Sequence, residues 1–393
     1  MAKQTLAICF TNFGPYHVAR LEALGQAMAN AGGHLLAYEM AGLEEKYPWQ
    51  AGSLGGAGLT HIRLFQGRSL ESISARECRR AMLSRLDMDQ PTALAAVGYA
   101  RPESMAMLSW ARANGALRIL LSESQKKDLP RVWWKEAIKS RRVRQFQSAL
   151  VGGETHRDYL AELGLDRDCI ELGYNAVGNG QISQILQKCE TVGKEGDTPY
   201  FLSVCRFAPE KNLYRLISAY DEYVKNIGNE QPWRLVLAGD GPLKAELEQH
   251  ASVAGVADLI SWPGFLPLEQ LVPLYAGCGA FVLPSTSEPW GLVVNEAALC
   301  GTPLLLSDRC GATGTFLPER GFPAGWRFDP ENIDELTDVM SRMTKLPDSA
   351  RQAMGETARR IAGQWGPDRF AIGLLAAIEH AGNQTKNLKA IVG

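Results

Sequence analysis

Two cations follow an apolar strand in the segment SVCRFAPEKN, residues 203–212. Arg206 comes directly after the strand, and Lys211 is expected to open the helix that follows a short turn. A guanidinium and an ammonium aimed at one point can hold a diphosphate, because charge builds on the leaving oxygen when the donor bond breaks. The alternative is two solvated surface cations, and this segment alone favours the alternative.

Two carboxylates lie in the segment FVLPSTSEPWGLVVNEAALCGTPLLLS, residues 281–307. Glu288 falls in a loop after a buried-type strand, and Glu296 falls eight residues later in a helix. Carboxylates accept strong hydrogen bonds from hydroxyl groups, so Glu288 suits a sugar and Glu296 a ribose. The alternative makes Glu288 a capping acid and Glu296 an exposed helix residue. Function is favoured because Glu296 lies in an otherwise apolar helix.

The start of that helix offers backbone amides to an anion. Gly291, Leu292 and Val293 lie at its N-terminus, where amide groups have no partner within the helix. Gly291 also lets a phosphate approach the backbone closely. We therefore expect a phosphate group to bind here.

Two further loops fall at the same edge of the predicted sheet. Gly239, Asp240 and Gly241 form a tight turn between a strand and a helix. This turn is not the dinucleotide motif G-x-G-x-x-G, because Lys244 occupies the place of the third glycine. The loop WPGFLP, residues 262–267, places Phe265 beside Leu266, and this pair either flanks a flat base or contributes a core aromatic.

The first half of the chain has one comparable loop, in TNFGPYHVARLEAL, residues 11–24. Gly14 lets the backbone approach a phosphate or sugar, and His17 follows at the start of a helix. The charged form of a histidine is disfavoured at a helix N-terminus, so His17 is expected to be neutral. A structural role for His17 is the equal alternative.

Elements that position these residues follow an alternating pattern of short strands and helices in both halves of the chain. The pattern predicts an α/β fold with two Rossmann-like domains facing across a cleft, where a ligand is expected at the strands' carboxyl ends. The predicted divisions are a first Rossmann-like domain over 1–175, a polar linker over 176–198 and a second Rossmann-like domain over 199–365. A last helix, over 366–393, closes the second domain or crosses back to the first.

Composition excludes several other classes of protein. The 393 residues carry Lys+Arg 41 and Asp+Glu 43, a net charge of −2, which gives no support for a nucleic-acid partner. The eight cysteines form no C-x-x-C pair, and the six histidines show no metal-ligand spacing, so we expect a reducing, cytoplasmic compartment and no metal. No apolar run is long enough to span a bilayer.

In their order, the motifs of the second half resemble those of the retaining glycosyltransferases of family 4, which have the GT-B fold. The shared motifs are SVCRFAPEKN, AGDGP, the WPGFL loop and PSTSEPWGLVVNEAALCGTP. Glu288 and Glu296 match the E-x7-E signature of that family. The first half is similar mainly in the Gly14 loop and in the alternation of strands and helices.

This resemblance implies a role for each residue of the constellation. Arg206 and Lys211 would hold the donor diphosphate, Glu288 the sugar hydroxyls and Glu296 the ribose, while the amides of Leu292 and Val293 would bind phosphate. The implied reaction moves a hexosyl group from a nucleoside-diphosphate sugar, with UDP as the expected nucleotide, to an acceptor hydroxyl with retention at the anomeric carbon. No cofactor or metal is implied, since a donor phosphate oxygen can take the acceptor's proton.

One loop departs from the family pattern. Many members carry a histidine after the fifth strand of the first domain, whereas here the strand runs into Ser122 and Glu123. Together with Tyr16, these two residues are candidates for contact with the sugar or the acceptor. Acceptor recognition is expected from loops of the first domain that the sequence does not decode, at 12–17, 42–58, 98–104 and 122–130.

The segment RVWWKEAIKSRRVRQF, residues 131–146, combines basic residues with two tryptophans. A basic helix with aromatic residues can lie on an anionic membrane surface, here the inner face of the membrane, and family 4 enzymes often act on lipid-linked acceptors. The favoured alternative is a solvated helix face with Trp133 and Trp134 packed inward.

Two other functions fit the same motifs. A nucleotide-sugar epimerase of the GT-B fold would act on the donor without an acceptor, and a non-catalytic sugar-nucleotide-binding protein would bind the donor only. The second is disfavoured because a silent relative has no need to keep the phosphate-binding set. A NAD-dependent dehydrogenase is disfavoured because no G-x-G-x-x-G follows any predicted strand.

Overall fold

A computed structural model describes most of the chain, over residues 4–43, 54–128, 131–190, 199–228, 231–318 and 324–392. The chain divides into two units. The first comprises Met1–Lys126, Pro130–Gly178 and Trp365–Gly393, and the second comprises Lys127–Leu129 and Asn179–Gln364.

The first unit is built on a seven-stranded sheet in the order β3-β2-β1-β4-β5-β6-β7. All of its pairings are parallel. Its strands are β1 Thr5–Phe10, β2 His34–Leu43, β3 Leu59–Ser69, β4 Ala93–Val97, β5 Leu117–Ser122, β6 Ser148–Val151 and β7 Ile170–Leu172. The helices between them are α1 Pro15–Asn30, α2 Ala75–Asp89, α3 Pro102–Asn114, α4 Trp133–Val143 and α5 Glu154–Glu162.

The second unit is built on a six-stranded parallel sheet in the order β10-β9-β8-β11-β12-β13. Its strands are β8 Tyr200–Val204, β9 Arg234–Ala238, β10 Ile260–Gly264, β11 Ala280–Leu283, β12 Leu304–Ser307 and β13 Gly325–Phe328. Its helices are α6 Asn179–Glu190, α7 Leu213–Asn226, α8 Lys244–Val253, α9 Leu268–Gly277, α10 Leu292–Leu299, α11 Thr313–Phe316, α12 Ile333–Lys345 and α13 Asp348–Gly363.

The central strands of the second sheet are apolar on both faces. β11 and β12 are buried at every position, because helices of a doubly wound fold cover both sides of the sheet. The order places β8 next to β11 and β1 next to β4, so the chain reverses its direction of winding between these neighbours. Two Rossmann-like domains, as predicted from the alternating pattern, are confirmed.

The last helix, α14 Pro367–Val392, belongs to the first unit. Its buried apolar residues recur on one face and join the core formed by β1, β5 and α1, at Phe370, Leu374, Ala377, Ile378 and Ala381. The side chain of Gln147, before β6, donates to the Ala381 carbonyl at 3.1 Å. Of the two placements left open by the sequence, the structure has the helix on the first unit.

The predicted polar linker, 176–198, is partly helical. α6 begins at Asn179, which is where the second unit begins, and residues 191–198 lie outside the described residues. Two predicted acceptor loops also fall partly outside them, at 44–53 and 129–130. Within the described ranges, no helix is both long and apolar enough to cross a membrane.

Candidate active site

The candidate site lies at the carboxyl edge of the second sheet, where β8 and β11 are neighbours. The loop after β8 holds Arg206 and Lys211, and the loop after β11 holds Glu288. Carboxyl ends of parallel strands meet at one edge, and the crevice at the point of reversed winding is where ligands bind in such sheets. The amide of Thr286 donates to the Glu210 carbonyl at 2.9 Å and ties the two loops together.

Lys211 and Glu288 form an ion pair between these loops. The Lys211 ammonium donates to Oε2 of Glu288, and the hydroxyl of Ser285 donates to the same oxygen at 3.2 Å. Both side chains are largely buried, with 18% and 11% of their surface exposed. Burial acts to lower the pKa of Lys211, but the attraction of the Glu288 carboxylate outweighs it and the pKa is raised. Lys211 is therefore a permanent cation at neutral pH.

Arg206 has a different partner. Its guanidinium is 3.7 Å from the Glu210 carboxylate, and 44% of the side chain is exposed. The sequence placed Lys211 at the start of a helix, but it ends the short 3-10 turn Pro209–Lys211, and α7 begins only at Leu213. The two cations therefore lie on one loop but pair with different carboxylates.

Gly291 turns the chain from the Glu288 loop into α10. Its φ of +93° lies in the left-handed region, and a Cβ there would lie 3.0 Å from Leu283 Cδ2 and 3.2 Å from Cys310 Sγ. The amide of Val294 bonds to the Gly291 carbonyl at 2.9 Å and closes the first turn. The amides of Leu292 and Val293 precede that bond, so they are the helix-terminal donors that an anion can use.

Glu296 is buried inside the unit, with 2% of its surface exposed. The hydroxyl of Tyr275, on α9, donates to its Oε2 at 2.9 Å. The alternative of an exposed helix residue is therefore wrong. Sequence reasoning missed Tyr275, because a tyrosine in an apolar helix carries no signal beyond core packing.

The turn at Gly239 and Gly241 packs directly on the loop that carries Arg206. A Cβ on Gly239, where φ is +137°, would lie 1.9 Å from the Cys205 carbonyl oxygen, and one on Gly241 would lie 2.5 Å from that of Phe207. The amide of Phe207 donates to the Asp240 carbonyl at 2.9 Å. Both glycines are thus needed for the close packing of this turn on the loop that carries Arg206.

Phe265 follows β10 at the same edge, and 78% of its surface is exposed. The alternative of a core aromatic is therefore wrong for Phe265. Leu266 beside it is half-buried. The amide of Gly239 donates to the Gly264 carbonyl at 2.8 Å, so this loop is joined to the glycine turn.

In the first unit, Gly14 caps α1 and His17 lies one turn into the helix. Nδ1 of His17 accepts a hydrogen bond from the Gly14 amide at 3.2 Å, which leaves the ring proton on Nε2. Burial, with a smaller contribution from the Arg20 charge, lowers the pKa of His17 to about 3. His17 is neutral at physiological pH, as expected, although burial rather than the helix terminus is the main cause.

Ser122 is the last residue of β5, and Glu123 follows it at the carboxyl edge of the first sheet. The Ser122 hydroxyl accepts from the Ser124 amide at 3.2 Å, and the Asn175 amide group donates to the Glu123 carboxylate. Tyr16 is half-buried on α1. Asn175 was not predicted as a site residue, because nothing in the sequence near it indicated that it would reach Glu123.

A buried arginine supports this edge of the first unit. Arg20 is 2% exposed, and its Nε donates to the Ala176 carbonyl at 2.8 Å. Burial lowers the pKa of Arg20 from its ordinary value, while Glu123 and Tyr16 act to raise it. The Arg20 charge in turn acts to lower the pKa of His17. The sequence gave no reason to select it among the arginines. In the described part of the chain, no group of three or more acidic, histidine or cysteine side chains is arranged to hold a metal ion.

Residues 184–361 match the family model described as "Glycosyl transferases group 1". The match contains Arg206, Lys211, Glu288 and Glu296, and it supports a group 1 glycosyltransferase.

Curated relatives are similar over less than half of the chain. A sulfoquinovosyl transferase of Arabidopsis thaliana is 32% identical over 167 residues, which are 42% of this chain and 30% of that protein. A GDP-mannose-dependent α-(1-6)-phosphatidylinositol monomannoside mannosyltransferase of Mycolicibacterium smegmatis is 28% identical over 174 residues, 42% of this chain and 44% of that protein. The chain thus aligns with less than half the length of either relative.

A solved structure is similar over nearly the whole chain. Sucrose-phosphate synthase from Thermosynechococcus elongatus superposes with a TM-score of 0.69 at 17% identity, over 99% of this chain and all of that one. The likeness shows the fold, which is that of the GT-B glycosyltransferases.

Proposed function

We propose that the protein is a retaining glycosyltransferase of family 4 that moves a hexosyl group from a nucleoside-diphosphate sugar to an acceptor hydroxyl. The observation that carries the proposal is the Lys211–Glu288 pair beside the N-terminus of α10. A cation, a carboxylate and free helix amides are thereby collected at the ligand-binding edge of a Rossmann-like sheet.

The phosphate side of the site has two kinds of donor. An ammonium has three N–H donors, so Lys211 can hold Glu288 with one and donate to phosphate oxygens with the others. The amides of Leu292 and Val293 add helix-terminal donors. Arg206 lies exposed on the same loop and can turn toward the diphosphate. These groups stabilise the charge that develops on the leaving diphosphate.

The sugar side of the site rests on the two glutamates. Lys211 and Ser285 both donate to Oε2 of Glu288, and the carboxylate is proposed to accept from a sugar hydroxyl. Glu296 is fixed by Tyr275 through Oε2 and is proposed to accept from the ribose. Both carboxylates are oriented before a donor binds, which reduces the entropy lost in positioning it.

In the proposed reaction, the bond from the anomeric carbon to the donor phosphate oxygen breaks, and a bond to the acceptor oxygen forms on the same face of the sugar. The acceptor's proton passes to the departing phosphate oxygen, so no protein base is used. No cofactor or metal takes part in this scheme. The protein contributes position and charge stabilisation.

We propose UDP as the first nucleotide to test. The mycobacterial relative is named for GDP-mannose, so GDP-sugars belong in the same screen. The acceptor is proposed to be a carbohydrate, a lipid-linked glycan or a small molecule bound by first-unit loops. The proposed location is the cytoplasm, where buried free thiols such as Cys9 and Cys310 stay reduced.

The test combines donor binding with turnover. A thermal-shift screen of UDP- and GDP-sugars should raise the melting temperature with one donor, because a ligand stabilises the folded state that binds it. Lys211→Ala and Glu296→Ala should then lower transfer or donor hydrolysis at least about 100-fold, in the range found for single groups that stabilise developing charge. Lys225→Ala is the matched control, since Lys225 pairs with Asp221 on the surface of the same unit.

Three results would overturn the proposal. Unchanged turnover in both variants would show that Lys211 and Glu296 do not have the proposed roles. Epimerised donor after incubation without any acceptor would replace the transferase by an epimerase, and donor binding without transfer across an acceptor panel would indicate a binding protein.

A further inference from the structure

Residues 132–138 expose four large apolar side chains at the surface of the first unit. Trp133 is 82% exposed, Trp134 48%, Ile138 47% and Val132 36%. Nine large apolar side chains are exposed among the described residues, so nearly half of them fall in this one stretch. The interpretation that the two tryptophans pack inward is therefore wrong.

The inner side of α4 fixes the helix to the unit. Tyr159 on α5 donates its hydroxyl to Glu136 at 2.7 Å, and the Ser140 hydroxyl donates to the Leu163 carbonyl at 2.7 Å. Val143 is fully buried. The exposed tryptophans are thus presented by an anchored helix.

The outer side of α4 is positively charged. Glu136 is the only acidic residue of 131–146, and it is paired with Lys139 at 2.8 Å and Arg131 at 3.5 Å. The exposed cations Lys135, Arg141 and Arg144 have no carboxylate partner among the described residues. They remain available for another negatively charged surface.

Aromatic and basic side chains are interleaved on this outer face. The Lys135 ammonium lies 5.5 Å from the centre of the Trp134 ring. Trp134, Ile138 and Arg141 follow one another at helical spacing and share one side of α4. We define the α4 patch as the exposed apolar residues Val132, Trp133, Trp134 and Ile138 together with the exposed cations Lys135 and Arg141.

We propose that the α4 patch docks on the surface of an anionic lipid bilayer. Tryptophan prefers the membrane–water interface, where its ring is apolar and its N–H is wet, and lysine and arginine are attracted to anionic headgroups. A second protein copy is the alternative that the test separates, because protein interfaces are also enriched in tryptophan and arginine. Docking is peripheral and does not depend on the proposed transfer activity.

The test is sedimentation with vesicles at about 0.1 M salt, where charges more than about 10 Å apart are largely screened. The protein should bind vesicles of equal parts phosphatidylcholine and phosphatidylglycerol, and not vesicles of phosphatidylcholine alone. Trp133→Ala with Trp134→Ala should weaken binding at least about tenfold, because two interfacial anchors are lost. Lys135→Glu with Arg141→Glu should weaken it by more than about 25-fold, since each cation near an anionic surface contributes about fivefold.

A matched charge reversal provides the control. Arg79 and Arg80 are exposed on α2 of the same unit, so Arg79→Glu with Arg80→Glu changes the net charge by the same amount at another place. This variant should keep vesicle binding within about twofold after the small change in overall charge is screened. All the substituted residues are exposed, and an unchanged melting temperature would show that each variant is folded.

Several outcomes would overturn the docking proposal. Equal binding to neutral vesicles, no binding to anionic vesicles, or an equal loss in the α2 variant would each do so. If the tryptophan variant instead dissociates a dimer in the absence of vesicles, the α4 patch is an interface with a second copy. Loss of transfer activity with vesicle binding intact would concern the donor site alone.

Discussion

Lys211 and Glu288 are 77 residues apart in the chain, yet the ammonium of one donates directly to the carboxylate of the other. Their contact joins the loops after β8 and β11 at the point where the sheet reverses its winding. Since both side chains are largely buried, the pair holds the two loops together and also supplies the charges that the proposed donor needs.

Because Lys211 and Glu288 are buried against each other, the effects of substituting them on the free energy of unfolding should be coupled. Lys211→Met and Glu288→Gln should each lower the free energy of unfolding by about 1–3 kcal/mol, since each leaves a buried polar group poorly paired. The double variant should lose at least about 1 kcal/mol less than the sum of the two. Urea unfolding of the four proteins gives this coupling, and additive losses would show that the pair contributes nothing.

The buried Tyr275–Glu296 hydrogen bond predicts that Tyr275→Phe lowers stability more than a Tyr→Phe change at an exposed site. Tyr275→Phe removes the donor to a buried carboxylate and should destabilise the fold by about 1.5–3 kcal/mol. Tyr214→Phe removes a similar 2.7 Å bond to Glu246 at an exposed site and should cost less than about 0.5 kcal/mol. Thermal or urea unfolding measures both. Equal losses in the two variants would contradict a special role for burial at Glu296.

The depressed pKa of His17 predicts a pH dependence of stability. In the unfolded chain His17 takes up a proton near pH 6.5, whereas in the folded protein burial delays this to about pH 3. The contribution of neutral His17 is therefore complete above pH 6.5 and is lost as pH falls toward 3, with a slope of up to about 1.4 kcal/mol per pH unit.

His17→Gln should flatten the pH dependence between pH 6 and about pH 4, because glutamine does not titrate. Urea midpoints measured across this range for both proteins provide the comparison. A variant with the same slope as the parent would mean that His17 takes up its proton as readily in the folded state as in the unfolded one.

The turn at Gly239 predicts that a Gly→Ala change there lowers stability much more than one at Gly255. Gly239 and Gly255 both have positive φ, +137° and +78°, but a Cβ on Gly255 meets nothing within 4 Å. Gly255→Ala should cost about 1 kcal/mol from the backbone alone. Gly239→Ala should cost at least about 3 kcal/mol, because its methyl would collide with the Cys205 carbonyl and displace the Arg206 loop. Unfolding measurements with donor binding as a second readout test this, and similar losses would contradict it.

Phe265 should matter for the donor and not for stability. If its ring stacks on the nucleotide base, Phe265→Ala weakens donor binding by about 1–3 kcal/mol. The free energy of unfolding should stay within about 0.5 kcal/mol, because 78% of the side chain is exposed. Val253→Ala, at another exposed apolar residue of the same unit, should change neither quantity. Calorimetric titration with the donor found by thermal shift decides the matter; unchanged affinity would exclude stacking.

The sequence determined the fold class and predicted the residues of the candidate site. Alternation of apolar strands with amphipathic helices is a local property, so two Rossmann-like domains followed from it directly. The order of the motifs around Arg206, Lys211, Glu288 and Glu296 located one edge of the second sheet, because each motif follows a strand and strand ends meet at one edge.

Only the tertiary structure decided which of these residues touch and which surfaces remain exposed. Pairing of Lys211 with Glu288 depends on β8 lying beside β11. The position of α14 depends on the apolar residues of β1, β5 and α1 against which it packs. The exposure of Trp133 and the burial of Glu296 both ran against one interpretation of the sequence. Helical periodicity defines the sides of a helix, but the side that is buried is set by the elements that pack against it.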